Sequence, residues 1–145
     1  MQTLEFTINI DASKDVVWNI LWNDSTYREW TSVFSEGSYA ETDWKEGSKV
    51  LFLSATGEGM YSTIARNIPN EFMSFKHLGM VKQGKEEPLD EETNKWSGAM
   101  ENYTLQETNG STELTVEIDI IEEMHAYFNE HFPKALEIVK DLSER

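Results

Sequence analysis

Residues 111–142 read STELTVEIDIIEEMHAYFNEHFPKALEIVKDL, and a change of period inside this stretch decides the fold. From Ser111 to Ile120 the residues alternate. Leu114, Val116, Ile118 and Ile120 point one way, and Glu113, Thr115, Glu117 and Asp119 the other. A period of two with one apolar side marks a strand in a sheet with one dry and one wet face. From Glu122 to Leu142 the residues Met124, Phe128, Phe132, Ala135, Val139 and Leu142 recur at three- and four-residue spacing, which makes an amphipathic helix with one apolar stripe. The helix is therefore expected to lie across the dry face, over either a closed core or a pocket. Pro133 interrupts the stripe. A proline inside a helix removes a hydrogen bond and clashes with the preceding turn, so a kink or break is expected near Glu130 to Phe132. A pocket would open there.

Working outward, Asn109-Gly110 is a hairpin turn that pairs this strand with a preceding one over Trp96 to Thr108. Further upstream, Glu36 to Glu41, Lys49 to Ala55, Met60 to Ile68 and Glu71 to Lys82 read as strands separated by turns at Gly47, Gly57-Glu58-Gly59 and Pro69-Asn70. The stretch Gly84 to Lys95 is crowded with charge and carries a single Leu, so it reads as an exposed loop. At the start, Gln2 to Ile10 alternates as a first strand. Ser13 then caps a short helix carrying Val16, Val17, Trp18, Ile20 and Leu21, and Ser25 caps a second with Tyr27 and Trp30. A strand, two short helices, about six antiparallel strands and a long final helix make an α+β fold in one domain spanning residues 1–145.

Bulk composition narrows the function classes. Twelve Lys and Arg stand against 27 Asp and Glu, a formal charge of −15, which disfavours nucleic-acid binding and docking on anionic membranes. An acidic face for a basic protein partner is compatible with that charge, and a monomer is expected. Cysteine is absent, which removes disulfides, thiol nucleophiles and Cys-based zinc sites. The N-terminus has neither a basic start nor an apolar run, so a cytoplasmic location is expected. His125 and His131 lie six residues apart on one helix, out of phase for a shared metal. No metal or cofactor is expected. There is no phosphate-cradling Gly loop and no nucleophile elbow, and no Ser is paired convincingly with a His.

Several motifs, taken in order, resemble the SRPBCC superfamily, also called START or Bet v 1-like, and within it the activator of heat-shock-protein-90 ATPase homologue-like family. They are Ile10-Asp11-Ala12-Ser13 leading to Val17-Trp18, Leu21, Tyr27 and Trp30; Trp44-Lys45-Glu46-Gly47-Ser48-Lys49; Asn67-Ile68-Pro69 before Phe75; Asn109-Gly110-Ser111-Thr112-Glu113-Leu114; and Phe132-Pro133-Lys134-Ala135-Leu136. The resemblance implies a helix-grip fold, in which a curved antiparallel sheet of six to seven strands wraps around the C-terminal helix. It also implies a cavity for a lipid, polyketide or other apolar molecule, with cyclase- or hydrolase-type catalysis in some members. The eukaryotic activator works with a second domain, which this chain does not show.

Given such a cavity, Trp18 is expected in the core, while Trp30, Phe52, Phe75, Phe128 and Phe132 are expected nearer the cavity, with Tyr27 and Trp96 as further aromatics that can line it. If Met73 and Phe75 face inward, so does His77. Glu101 shares a face with Tyr103 and Leu105. His77, Glu101 and Tyr103 then form a polar patch that orients a ligand or supplies an acid and a base. A register slip of one residue would instead put Glu101 in solvent. The leading expectation is a binding protein for an apolar small molecule. The alternatives are an enzyme using the polar patch, or a chaperone-associated module.

Overall fold

Alternation in the sequence becomes a continuous antiparallel sheet in the computed structural model, which describes residues 1–145. The elements run β1 (Gln2–Ile10), α1 (Lys14–Trp22), α2 (Asp24–Thr31), β2 (Tyr39–Glu41), β3 (Lys49–Leu53), β4 (Gly59–Ile68) and β5 (Phe72–Lys82). They continue with β6 (Lys85–Glu86), α3 (Glu91–Asn94), β7 (Met100–Thr108), β8 (Ser111–Ile120), a 3-10 turn at Glu122–Met124 and α4 (His125–Glu144). The strand order is β1-β8-β7-β5-β4-β3-β2, the expected seven strands, with the two-residue β6 pairing β5 as a short eighth. This is the helix-grip arrangement of an α+β fold.

Period-two patterning sets the burial. In β8, Leu114, Val116, Ile118 and Ile120 are buried, and β1 pairs with the strand in register from Gln2 opposite Ile120 to Ile10 opposite Thr112. The β7–β8 hairpin closes through Asn109 and Gly110, both at positive φ (54° and 83°), the backbone of a type I′ turn. Curvature comes from two bulges between β4 and β5. Leu78 is the extra residue on β5, between the pairs Tyr61–Gly79 and Ser62–His77. Ala65 is the extra residue on β4, between Ile64–Phe75 and Arg66–Ser74. Each bulge bends its strand and increases the local twist, turning the inner face into a trough.

Helix α4 closes only part of that trough. Phe132, Ala135, Leu136, Val139 and Ser143 are buried, and this half of the helix packs against β1, α1 and α2. Phe132 stacks on Phe6 at 5.1 Å between ring centroids. The first turns, around Tyr127 and Phe128, are only half-buried. No break occurs at Pro133: α4 runs continuously through it. The proline is exposed, as is Asn129, whose carbonyl loses its helical partner and can be hydrated there.

Other sequence expectations shift locally. In α1 the buried residues are Val17, Leu21 and Trp22, while Trp18 is half-buried and Val16 exposed. The run Val16-Val17-Trp18 is apolar at consecutive positions and so leaves the helix phase open. Asn23, not Ser25, caps α2, its side chain accepting from the Ser25 N–H at 3.2 Å. The second strand begins only at Tyr39, and β7 only at Met100, because the chain turns through Trp96 to Gly98. The stretch Gly84 to Lys95 is not wholly a loop. It forms β6 and α3, with Asp90 capping α3 and Thr93 buried. No helix is long and apolar enough to cross a membrane.

The alternation of β8 predicts a sharp contrast between neighbours. Leu114→Ala should cost about 2–5 kcal/mol in urea unfolding, and Glu113→Ala should stay within about 0.5 kcal/mol. Similar losses at both positions would contradict the assignment of faces.

Candidate functional site

Between the sheet and the first turns of α4 lies a cavity of about 600 Å³. Twenty of its 29 bordering residues are hydrophobic, so the walls favour an apolar occupant. All eight residues singled out in the sequence border it: Trp30, Phe52, Phe75, His77, Glu101, Tyr103, Phe128 and Phe132. Tyr27 and Trp96 do so as well, whereas Trp18 does not. The segment Gly84 to Lys95 contributes nothing to the wall, and neither do His131 and Pro133, so the proline does not mark the opening. His131 instead donates from Nδ1 to the Tyr127 carbonyl at 2.7 Å.

Aromatic packing holds one side of the cavity. Trp22 has the rings of Tyr103 at 4.9 Å, Trp44 at 5.3 Å and Phe75 at 5.4 Å between centroids. Trp44 sits at φ 63°, a rare conformation for a bulky residue, and is tied down by Asn67, whose Nδ2 donates to its carbonyl at 2.6 Å. On the α4 side, Phe34 packs against Phe132 at 4.9 Å and Phe128 at 6.2 Å, and its carbonyl accepts from the Tyr127 hydroxyl at 2.7 Å.

A chain of four polar side chains crosses the apolar wall. Ser62 Oγ lies 2.7 Å from His77 Nδ1, His77 Nε2 lies 2.9 Å from Glu101 Oε1, and the Tyr103 hydroxyl donates to Glu101 Oε2. Period two brings these residues inward from β4, β5 and β7, and β5–β7 pairing places Phe75 opposite Glu101. The turn at Trp96–Ala99 fixes the His77 backbone: its N–H donates to the Ala99 carbonyl at 2.9 Å, and its carbonyl accepts from the Gly98 N–H at 2.7 Å. The Glu101 side chain is 17% exposed and that of His77 6%, so the carboxylate is neither solvated outside nor unpaired.

Ser62 was not foreseen as a partner of any histidine, because the register between β4 and β5 depends on bulges that leave no signal in spacing alone. It is fully buried and does not border the cavity. It therefore orients the imidazole and offers no nucleophile. The assignment that gives every hydrogen an acceptor has Ser62 donating to Nδ1 and Nε2–H donating to Glu101. In that state the imidazole is neutral and the chain carries one negative charge.

Burial, then the nearby Glu101 charge, raises the phenol pKa values of Tyr27 and Tyr103 well above the ordinary tyrosine value. Sequence reasoning passed over Trp22, Phe34, Met60, Met80, Ile121, Met124 and Tyr127 as wall residues. The spacing of Phe34 and Tyr127 carries no usable signal, but Met124 was already on the helical stripe.

The fold and the site thus define a helix-grip domain with an apolar cavity and an internal carboxylate. No protein-family model and no curated protein matches the sequence. Solved structures do match. Protein MLL2253 from Mesorhizobium loti aligns at TM-score 0.74 and 15% identity, over 97% of this chain and 96% of that one. The Aha1 dimer from Colwellia psychrerythraea aligns at TM-score 0.72 and 19% identity, over 99% and 97%. CalU16 from Micromonospora echinospora aligns at 0.67 and 17%, over 95% and 71%. At such identities the likeness shows the fold alone.

Two outcomes follow for the polar chain. An unfolded tyrosine ionises near pH ~10, whereas Tyr27 and Tyr103 keep their protons beyond that in the folded state. The unfolded state therefore loses protons first, and stability should fall as pH rises past about 10. An absorbance titration of the five tyrosines should show these two ionising only as the chain unfolds. Five ordinary titrations in the folded protein would contradict it. Separately, His77→Ala removes a partner from both Ser62 and Glu101 and should cost about 1–3 kcal/mol in chemical denaturation.

Proposed function

We propose that this protein binds an apolar small molecule in the cavity between the sheet and the start of α4, holding it by apolar walls and orienting it on the Glu101 carboxylate. One observation carries the reading: about 600 Å³ of space stands where a plain core would be filled, bordered mostly by hydrophobic side chains. Interiors of proteins are close-packed, and a space of this size falls in the range of ligand pockets rather than packing defects. The motifs shared with the activator of heat-shock-protein-90 ATPase homologue-like family, and the fold likeness to the Colwellia Aha1 dimer, support placing the chain in that part of the SRPBCC superfamily. The charge of −15 supports a protein that works as a monomer apart from nucleic acid and anionic membranes, and it leaves the surface suited to a basic protein partner.

A second reading, catalysis, is favoured by the chain Ser62–His77–Glu101–Tyr103. A carboxylate held by an imidazole inside an apolar cavity is placed to act as a general base. The two readings part on variants. His77→Asn and Glu101→Gln should abolish turnover of a substrate if the protein is an enzyme, with binding retained.

Native mass spectrometry of the protein purified from its own cells should reveal a retained small molecule, and an apolar fluorophore should bind the emptied protein. Met124→Trp, at the border of the cavity, should weaken fluorophore binding several-fold without lowering the melting temperature by more than a few degrees. A protein that is empty as purified and indifferent to the fluorophore would overturn the binding reading.

A further inference from the structure

The charge inventory of the cavity wall has one sign. Its ionisable residues are Glu58, Glu101 and Asp119, with His77 and three tyrosines besides Tyr103, and no Lys or Arg borders the space. Asp119 is turned to other work, accepting from Thr3 Oγ1 at 2.7 Å and from the Met100 N–H at 2.9 Å. Glu58 is exposed at the rim. Glu101 is the one carboxylate set inside the aromatic wall, and its two oxygens each hold a single protein donor. A carboxylate offers about four acceptor positions, so further ones remain for a ligand.

Tyr27 stands near the same carboxylate, whose charge adds to the burial that raises its pKa. Its hydroxyl makes no hydrogen bond to the protein, so its oxygen is available as a second acceptor at the cavity wall. The rings of Trp22, Trp30, Phe75 and Tyr103 pack around this end of the cavity. Aromatic faces attract cations, and a buried ammonium needs a carboxylate partner.

Resting on the binding reading above, we infer that the cavity selects an apolar molecule bearing an ammonium group, which Glu101 and the Tyr27 hydroxyl oxygen receive, and that it rejects an isosteric carboxylate. A fatty-acid head would meet Glu101 with no cation to offset the repulsion, whereas an alkylammonium completes a charge pair that the site lacks. A neutral alcohol of the same length falls between them, because it gives one hydrogen bond and no charge.

The test compares dodecylamine, dodecanol and laurate as competitors of a cavity-bound apolar fluorophore, at mildly alkaline pH and moderate salt. Dodecylamine should displace it at concentrations roughly tenfold or more below laurate, with dodecanol between. Glu101→Gln, which keeps a hydrogen-bonding side chain at that position, should erase the advantage of the amine over the alcohol. General attraction of a cation to an acidic surface would persist in that variant. Equal displacement by all three compounds, or an amine advantage surviving in Glu101→Gln, would overturn the inference while leaving the binding reading standing. Failure of all three to displace, with no fluorophore bound in the first place, would overturn both. If the variant does not fold, the same comparison at high salt decides: attraction to the acidic surface is screened away, whereas an advantage of the amine seated at the enclosed Glu101 persists, and its loss would overturn the inference.

Discussion

Everything in this domain depends on an unequal coverage of the inner face of the sheet. The strands present a continuous dry face, and apolar surface left against water is costly at about 25 cal/mol per Å². One end of that face is sealed by the second half of α4, where Phe132, Ala135, Leu136 and Val139 are buried together with Val17, Leu21 and Trp30 from the two short helices. The other end meets only the first turns of α4. Those turns carry Tyr127 and Phe128, and the 3-10 turn before them carries Met124, all half-buried. Anchoring at one end and spanning at the other is what leaves a cavity in place of a core.

The aromatic side chains make that cavity tolerable. A space lined by small aliphatic residues would collapse, because its lining loses contacts on one side. Here Trp22 is braced by Trp44, Phe75 and Tyr103, and Phe34 is braced by Phe128 and Phe132. Large rigid rings that hold one another apart resist inward movement better than flexible side chains do. Methionines occupy other parts of the wall, at Met60, Met80 and Met124, and these can adapt to the shape of an occupant.

The order of elements was legible because it rests on local periodicity. Leu114 to Ile120 and Phe132 to Leu142 announce their periods without help from the rest of the chain. The inward direction of His77 and Glu101 was also legible, since each follows by twos from an apolar neighbour, Phe75 or Tyr103, on its own strand. What could not be read is anything fixed by pairing between strands. The contact between Ser62 and His77 exists because Leu78 bulges out of β5 and shifts the register there. Consecutive apolar residues hid the phase of α1, so Trp18 stood in for Trp22. The helix through Pro133 survived because its unpaired carbonyl faces solvent, a tertiary circumstance that no residue type reveals.

The polar chain ties these observations to chemistry. A lone carboxylate on such a wall would be costly to bury, and that cost is met here by two donors, His77 on the neighbouring β5 and Tyr103 two residues along the same strand. Those donors also fix where the carboxylate points. His77 is held from behind by Ser62 and along its backbone by the turn at Ala99. Tyr103 is buried among rings. The free acceptor positions of Glu101 are therefore set before any ligand arrives, and little ordering is left to be done on binding. A group that merely stabilised the fold would be better replaced by an apolar residue of similar volume. Its place at a cavity wall, oriented from two sides and with no Lys or Arg bordering the space, is the structural argument that a ligand completes the pair.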